Sequence, residues 1–356
     1  SLAAYGVIII NTKRGNSEVP KVNYTNNTFI KTPPKLRSTL GGNLERQLKL
    51  LQIYDYAITQ QDIDKIVNTP HLADSLNAYF NNSTDWQDLY FQTTYNQSHN
   101  LTVDGGNSQL SYKANVGYYS EKGIIKNTGF DRYSTNLRMD YSPDRRLRFT
   151  GQVMAQLGKQ NKGSGAGLFQ TGVANGGSSS SLLPPPSFYL ASSDYISSIS
   201  TANDNGSKLI RPFIEASYEI LTGLRLSSTF SYEFVTNTED TFSPAASNNQ
   251  FSKVYSFAGR QTLLYNRNVV TYTKTFNEAH NIFINLFNEV RNVTRQNTAT
   301  VQNRTPNDQF QGPLGYDGYF SRGGGVLSAF RNERALSFAL VTSYDYKKSY
   351  VLALSY

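Results

Sequence analysis

The residues able to do chemistry are few and far apart. His71, His99 and His280 lie in three separate segments with no second ligand at metal-binding spacing, so they are expected to form hydrogen bonds or sit in solvent. Cys is absent, which excludes a disulfide framework and thiolate-held zinc or iron–sulfur centres. Asp62-Ile63-Asp64 begins like a calcium loop but lacks the Gly and the closing Glu that an EF-hand needs. Glu239-Asp240 has no second carboxylate cluster with which to form a glycosidase pair. Arg322-Gly323-Gly324-Gly325 falls inside a long connection rather than between a strand and a helix, and no Gly-Lys-Ser/Thr loop, His-Glu-x-x-His or Gly-x-Ser-x-Gly occurs. The expectation is therefore no enzyme, no cofactor and no metal. What remains is binding chemistry. Pro184-Pro185-Pro186 would hold Phe188 and Tyr189 extended in a Gly- and Ser-rich loop, where their rings offer a flat apolar face to a sugar or a partner.

The elements that must carry such a surface read as strands. Tyr133, Thr135, Leu137, Met139 and Tyr141 alternate with Ser134, Asn136, Arg138 and Asp140, a period of two that an amphipathic helix does not show. Leu147, Phe149, Gly151, Val153, Ala155 and Leu157 alternate in the same way with Arg148, Thr150, Gln152, Met154 and Gln156. Between the two runs lies Ser142-Pro143-Asp144-Arg145-Arg146, built from turn formers. Similar alternation marks residues 110–119, 224–234 and 336–346, and ten or eleven strands can be drawn, with 263–276 ambiguous in phase. Two helices are expected outside the strands, one through Leu44, Leu48, Leu51 and Ile58 and one from Thr59 to before Pro70.

Composition narrows the class. The 356 residues include 25 Tyr and 20 Phe, too much apolar payload for a disordered chain. The longest aliphatic run, Val7 to Ile10, is far short of the roughly 18–20 residues of a membrane-spanning helix. A transmembrane β-barrel survives that test, because its strands average out as polar. The net charge of +8 raises nucleic-acid binding, yet Lys and Arg are scattered and no RNA-binding strand pattern appears, so no nucleic-acid partner is expected. Ser1 to Tyr5 show neither a charged nor an apolar signal region, so the chain is expected either to be cytoplasmic or to have lost its beginning.

The connections alternate in length. Short ones are expected at 104–107, 142–146, 221–223, 277–280 and 347–349, and long ones at 35–88, 158–207, 237–260 and 296–333, with a shorter one near 123–131. Short turns on one rim and long loops on the other are the layout of outer-membrane barrels, whereas loops beyond about 12–15 residues are uncommon in compact soluble domains. Tyr118, Tyr133, Tyr141, Tyr344 and Tyr346 near strand ends suit aromatic girdles at the two interfaces. The alternatives left open are a passive outer-membrane barrel and a soluble β-sandwich with a structural or adhesive role.

Three ordered motifs carry a family resemblance. Thr84-Asp85-Trp86-Gln87-Asp88, then the stretch from His99-Asn100-Leu101-Thr102-Val103 to Asp104-Gly105-Gly106-Asn107, then the run from Gly123-Ile124-Ile125-Lys126-Asn127 through Thr128-Gly129-Phe130-Asp131 to Arg132-Tyr133, look like early barrel strands of the SusC-like TonB-dependent transporters of the Bacteroidota outer membrane. Upstream, Ala4-Tyr5-Gly6 and Val7-Ile8-Ile9-Ile10-Asn11-Thr12-Lys13-Arg14-Gly15 resemble the two ends of that family's closing plug motif, with a handful of intervening residues absent. The resemblance is close to about Tyr141 and rests on pattern beyond it.

It implies an all-β fold, a transmembrane antiparallel β-barrel of about 22 strands. Residues 1–16 would be the end of the plug, and 17–356 the first ten or eleven strands with long extracellular loops, about half of the barrel. The missing strands must be present in the native molecule, since open edges leave backbone groups unpaired in lipid. The implied function is TonB-dependent import of an oligosaccharide or peptide through the outer membrane of a Gram-negative bacterium, with a SusD-like lipoprotein as lid. Under the strand phases above, Arg138, Arg148, Gln152, Asn136 and Asn115 face the lumen and can hydrogen-bond either substrate class.

Overall fold

Among the described residues, period-two alternation and short turns produce eleven strands that pair antiparallel in sequence order, a single meander with no crossover. The computed structural model describes residues 18–35, 38, 40–56, 59–68, 83, 85–162, 202–244, 252–303, 325–347 and 349–355. The strands are β1 (Lys21–Lys31), β2 (Thr94–Gly106), β3 (Leu110–Lys122), β4 (Thr128–Tyr141), β5 (Leu147–Lys162), β6 (Ala202–Leu221), β7 (Leu224–Ser243), β8 (Lys253–Phe276), β9 (His280–Asn303), β10 (Gly325–Tyr346) and β11 (Tyr350–Ser355). Among the described residues of the connection from β1 to β2 lie the helices α1 (Gly42–Tyr56), α2 (Gln60–Val67) and α3 (Trp86–Tyr90). The residues expected to end the plug, 1–16, lie outside the described residues.

Each short turn has a local cause. Asn277 and Glu278 both adopt positive φ, 48° and 55°, the backbone twist that matches a tight hairpin, and the Ala279 amide closes the turn on the Phe276 carbonyl at 3.1 Å. Gly223, at φ +86°, turns β6 into β7; a Cβ there would meet the Thr273 carbonyl oxygen at 2.1 Å. At the hairpin of β4 and β5, the Asp144 carboxylate accepts from the Arg146 and Leu147 amides at 2.7 and 2.8 Å.

The two faces of the sheet are inverted relative to a soluble domain. Among the described residues the buried apolar side chains are Phe242, Val254 and Val293, while Val116, Leu137, Met139, Leu157 and Ile214 stand about half exposed or more. Asn96, Asp140, Thr150 and Glu233 are buried on the opposite face. Burial of polar groups with exposure of aliphatic ones is unfavourable in water and favourable in lipid. Aromatic side chains bound the apolar face. Tyr24, His99, Tyr118 and Tyr133 follow one another across β1 to β4 with ring centroids 6.1, 6.1 and 4.8 Å apart. At the opposite rim His280 lies 6.0 Å from Tyr344 and 5.0 Å from Tyr346. Tyr133 and Tyr141 are separated along β4 by about 27 Å of strand, or about 20 Å after tilting, close to the height of a barrel's apolar band. His99 and His280 each hydrogen-bond a tyrosine hydroxyl of their belt, Tyr24 at 2.6 Å and Tyr344 at 2.7 Å; His71 lies outside the described residues.

Several strands run further than alternation indicates. β5 and β6 extend into the loop expected at 158–207, β7 and β8 into 237–260, and β9 and β10 into 296–333. The 24-residue β8 is more than twice the roughly 9–11 residues a membrane-crossing strand needs. Beyond the membrane both faces meet water, so Thr236-Asn237-Thr238-Glu239-Asp240-Thr241 continues β7 by backbone pairing without alternating. Asp104, Gly105 and Gly106 are also strand, and the first short turn lies at 107–109, where the Asn107 side chain accepts from the Gln109 and Leu110 amides, each at 2.9 Å.

Candidate functional site

The polar face of β2 to β10 is the surface on which side chains converge. Period two puts Arg138 and Asp140 on that face of β4, and the register sets Asp140 opposite Thr150 and Arg138 opposite Gln152 of β5. The Asp140 carboxylate is buried and gathers four hydrogen bonds. Arg138 donates two, from Nε at 2.8 Å and Nη2 at 3.1 Å; Arg148 Nη2 donates at 3.1 Å and Thr150 Oγ1 at 2.7 Å. Next to this group, Gln152 donates to Asn136 at 2.8 Å and Asn115 to Thr102 at 2.8 Å. Arg138, Arg148, Gln152, Asn136 and Asn115 thus share one face and one neighbourhood, while Phe188 and Tyr189 lie outside the described residues.

The face continues as paired charges. Arg211 of β6 donates through Nε to Glu233 of β7 at 2.7 Å. Tyr265 donates to Glu289 at 2.8 Å, and beside them the Arg267 guanidinium sits 4.5 Å from the Phe287 ring centre. Arg295 donates to Gln261 at 2.7 Å and reaches Glu333, which also pairs with Arg331. At the end of the sheet nearest the helices, Lys31 and the Tyr119 hydroxyl both engage Glu121.

Sequence reading found the cations and missed the carboxylates that orient them. Asp140 was within reach of the pattern, because a residue two positions from Arg138 shares its strand face. Glu121 was not, since nothing local ties it to Lys31, ninety positions away in sequence. Among the described residues no three His, Asp or Glu side chains assemble a group fit to hold a metal ion. Arginines fixed at one or two N–H groups keep other donors available, so this wall can bind acceptors such as hydroxyls and carbonyls.

On the loop side, α1 presents its apolar positions outward. Leu44, Leu48 and Leu51 are 62%, 45% and 61% exposed, while Glu45 is buried and pairs with Lys49.

Comparison with known proteins accounts for this inside-out sheet. No family model matches the chain. SusC, a TonB-dependent receptor of Bacteroides thetaiotaomicron, is 31% identical over 180 residues, half of this chain. The TonB-dependent receptor P39 of Formosa agariphila is 24% identical over 293 residues, 79% of this chain. The chain is related to the SusC-like TonB-dependent receptors. The structure of the RagAB peptide transporter superposes on 97% of it with a TM-score of 0.73 at 17% identity, and the RagAB importer in its open-open state on 99% with 0.70. The fold is therefore that of a TonB-dependent barrel, with the polar face lining the lumen and the apolar face meeting lipid. The chain spans 16% and 27% of the two receptors' lengths and 42% of the RagAB chain. Among the described residues its two edge strands, β1 and β11, each pair on one side only.

Proposed function

We propose that the chain is part of an outer-membrane importer that takes up an oligosaccharide or peptide under TonB control, with a SusD-like lipoprotein covering its external mouth. In this reading residues 1–16 end the plug, 17–356 build about half of the barrel wall, and the short turns face the periplasm. The carrying observation is the pairing of a lipid-compatible outer band with an inner wall of oriented Arg, Gln and Asn donors. Arg138, Arg148 and Gln152, with Asn136 and Asn115, would engage hydroxyl or carbonyl oxygens of the passing substrate. Phe188 and Tyr189 would contact substrate or lid from the external loop. The outward stripe of Leu44, Leu48 and Leu51 supports a partner on that rim, since contiguous apolar residues exposed to water mark contact surfaces.

The test is uptake of labelled oligosaccharides and peptides by cells carrying the full-length protein, with and without TonB. Uptake that is saturable and lost without TonB is the expected result; uptake that persists without TonB identifies a passive barrel. Orientation is tested separately by labelling single cysteines in a full-length protein freed of any other Cys, to which these 356 residues contribute none. In intact cells Lys65→Cys on α2 should label with an impermeant maleimide and Asp144→Cys should not.

A further inference from the structure

The lipid-facing side of β3 to β6 contains a depression of about 450 Å³, lined by Tyr112, Leu137, Met139, Val153, Pro212 and Ile214. Its floor is Gly151, set in register between Met139 of β4 and Ile214 of β6. A Cβ built on Gly151 meets nothing within 4 Å, so neighbouring side chains do not fill the space. A glycine inside a strand forgoes packing and marks a bulge, a bend or a place where another molecule approaches the backbone closely, and the register through Gly151 runs on both sides without a bulge. Here the approach comes from the bilayer, and an apolar trough in the lipid band takes an acyl chain.

The rim below the trough adds a charge. Arg145 and Arg146, in the hairpin of β4 and β5, are exposed, and neither guanidinium has a side-chain partner among the described residues. The neighbouring Asp144 carboxylate is engaged by backbone amides. Gly151 lies about 17 Å along the strand from Arg146, within the span from a phospholipid's phosphate to the middle of its acyl chains.

We propose that this is a specific site for an anionic phospholipid of the periplasmic leaflet, with one acyl chain in the Gly151 trough and the phosphate on Arg145 and Arg146. Guanidinium pairs favour a net-negative head group over a zwitterionic one, whose ammonium they repel. The assignment to the periplasmic leaflet rests on the orientation proposed above. The Asp144→Cys labelling tests that orientation independently.

The experiment is native mass spectrometry of the full-length protein, stripped of lipid and exposed to equimolar phosphatidylglycerol and phosphatidylethanolamine. Wild type should retain phosphatidylglycerol about tenfold over phosphatidylethanolamine. Gly151→Leu should lose the retained lipid, and Arg145→Gln with Arg146→Gln should retain both lipids equally. Equal retention by wild type, or a preference that survives loss of both arginines, overturns the proposal and leaves ordinary annular lipid or detergent in the trough. Should Gly151→Leu fail to assemble, the arginine variant, confined to an exposed turn, decides alone.

Discussion

The outer faces of β3 to β5 and of β7 to β9 serve the same solvent with different residues. On β3 to β5 the band from Tyr118 and Tyr133 down to Tyr141 is closed by Val116, Leu137, Met139, Val153 and Phe149. On β7 to β9 it is broken by Ser228, Asn266, Asn268 and Asn288, placed in one patch by the register. Most of that patch is satisfied internally. Ser228 Oγ donates to Asn268 at 2.7 Å, Asn268 Nδ2 to Asn266 at 2.9 Å, and Asn266 Nδ2 to the Thr229 carbonyl at 3.0 Å. Polar groups that bond one another lose far less on leaving water than isolated ones, so a barrel can carry amides on its outer face if they form a chain.

The largest contrast is expected where the band is unbroken. Leu137 lies midway between the two tyrosine girdles, so Leu137→Arg should destabilise the barrel by about 2–4 kcal/mol, whereas lumen-facing Asn136→Arg should be tolerated. The readout is the urea midpoint of the folded species of the full-length protein in detergent-resolved gels. Equal losses for the two would mean that β4 does not present alternate residues to lipid and lumen.

The next effect belongs to the inner wall. Asp140→Ala removes the acceptor of four hydrogen bonds and leaves two guanidiniums facing each other; a loss of about 2 kcal/mol is expected, moderated by water in the lumen. Thr150→Val removes one neutral donor and should cost about 1 kcal/mol. If Asp140→Ala costs no more than Thr150→Val, the arginines are held by something other than the carboxylate.

The same contrast explains what sequence reading could reach. In β4 and β5 one face is apolar and the other polar, so phase, turn and the shared face of Arg138, Arg148 and Gln152 follow from alternation alone. In β8 the outward set mixes Leu264, Val270 and Tyr272 with Asn266 and Asn268, and the lumenal set mixes Arg267 and Gln261 with Leu263, Tyr265 and Val269. Neither face wins by count, and only the register with its hydrogen-bond chain across β7 and β8 resolves the phase. Long-range pairs such as Lys31 with Glu121 depend on register between distant strands, which local pattern does not encode.

A smaller effect tests the broken band directly. Asn268→Leu cuts the amide chain but restores an apolar side chain to the lipid face, so the two contributions oppose each other and stability should change by less than about 1 kcal/mol. The same urea midpoint reads it. A loss larger than that of Asp140→Ala would show that the patch is packed against a protein surface rather than lipid.

The smallest effect is expected outside the membrane, where a carboxylate gathers donors as Asp140 does but in open water. Asp62, in the first turn of α2, accepts from the Thr59 hydroxyl at 2.7 Å, the Thr59 amide at 3.2 Å and Lys65 Nζ at 3.2 Å. The Asp62 carboxylate thereby caps the Thr59 amide, one half of a capping box with Asp in place of the usual Glu, while the Asp62 amide bonds the Thr59 carbonyl at 3.1 Å. These contacts, the Thr59 hydroxyl first and the Lys65 ammonium second, hold the Asp62 carboxyl down to about 2. Because the folded value lies below the unfolded one of about 3.9, the contribution to α2 is fully present above that value. It fades as pH falls from about 4 towards 2. A spin label at Gln61→Cys should therefore gain mobility across that interval in the wild-type background. With Asp62→Ala the label should already be mobile at neutral pH and respond little to acid. A label whose mobility changes identically with pH in both backgrounds would assign the transition to another group and remove Asp62 from the cap.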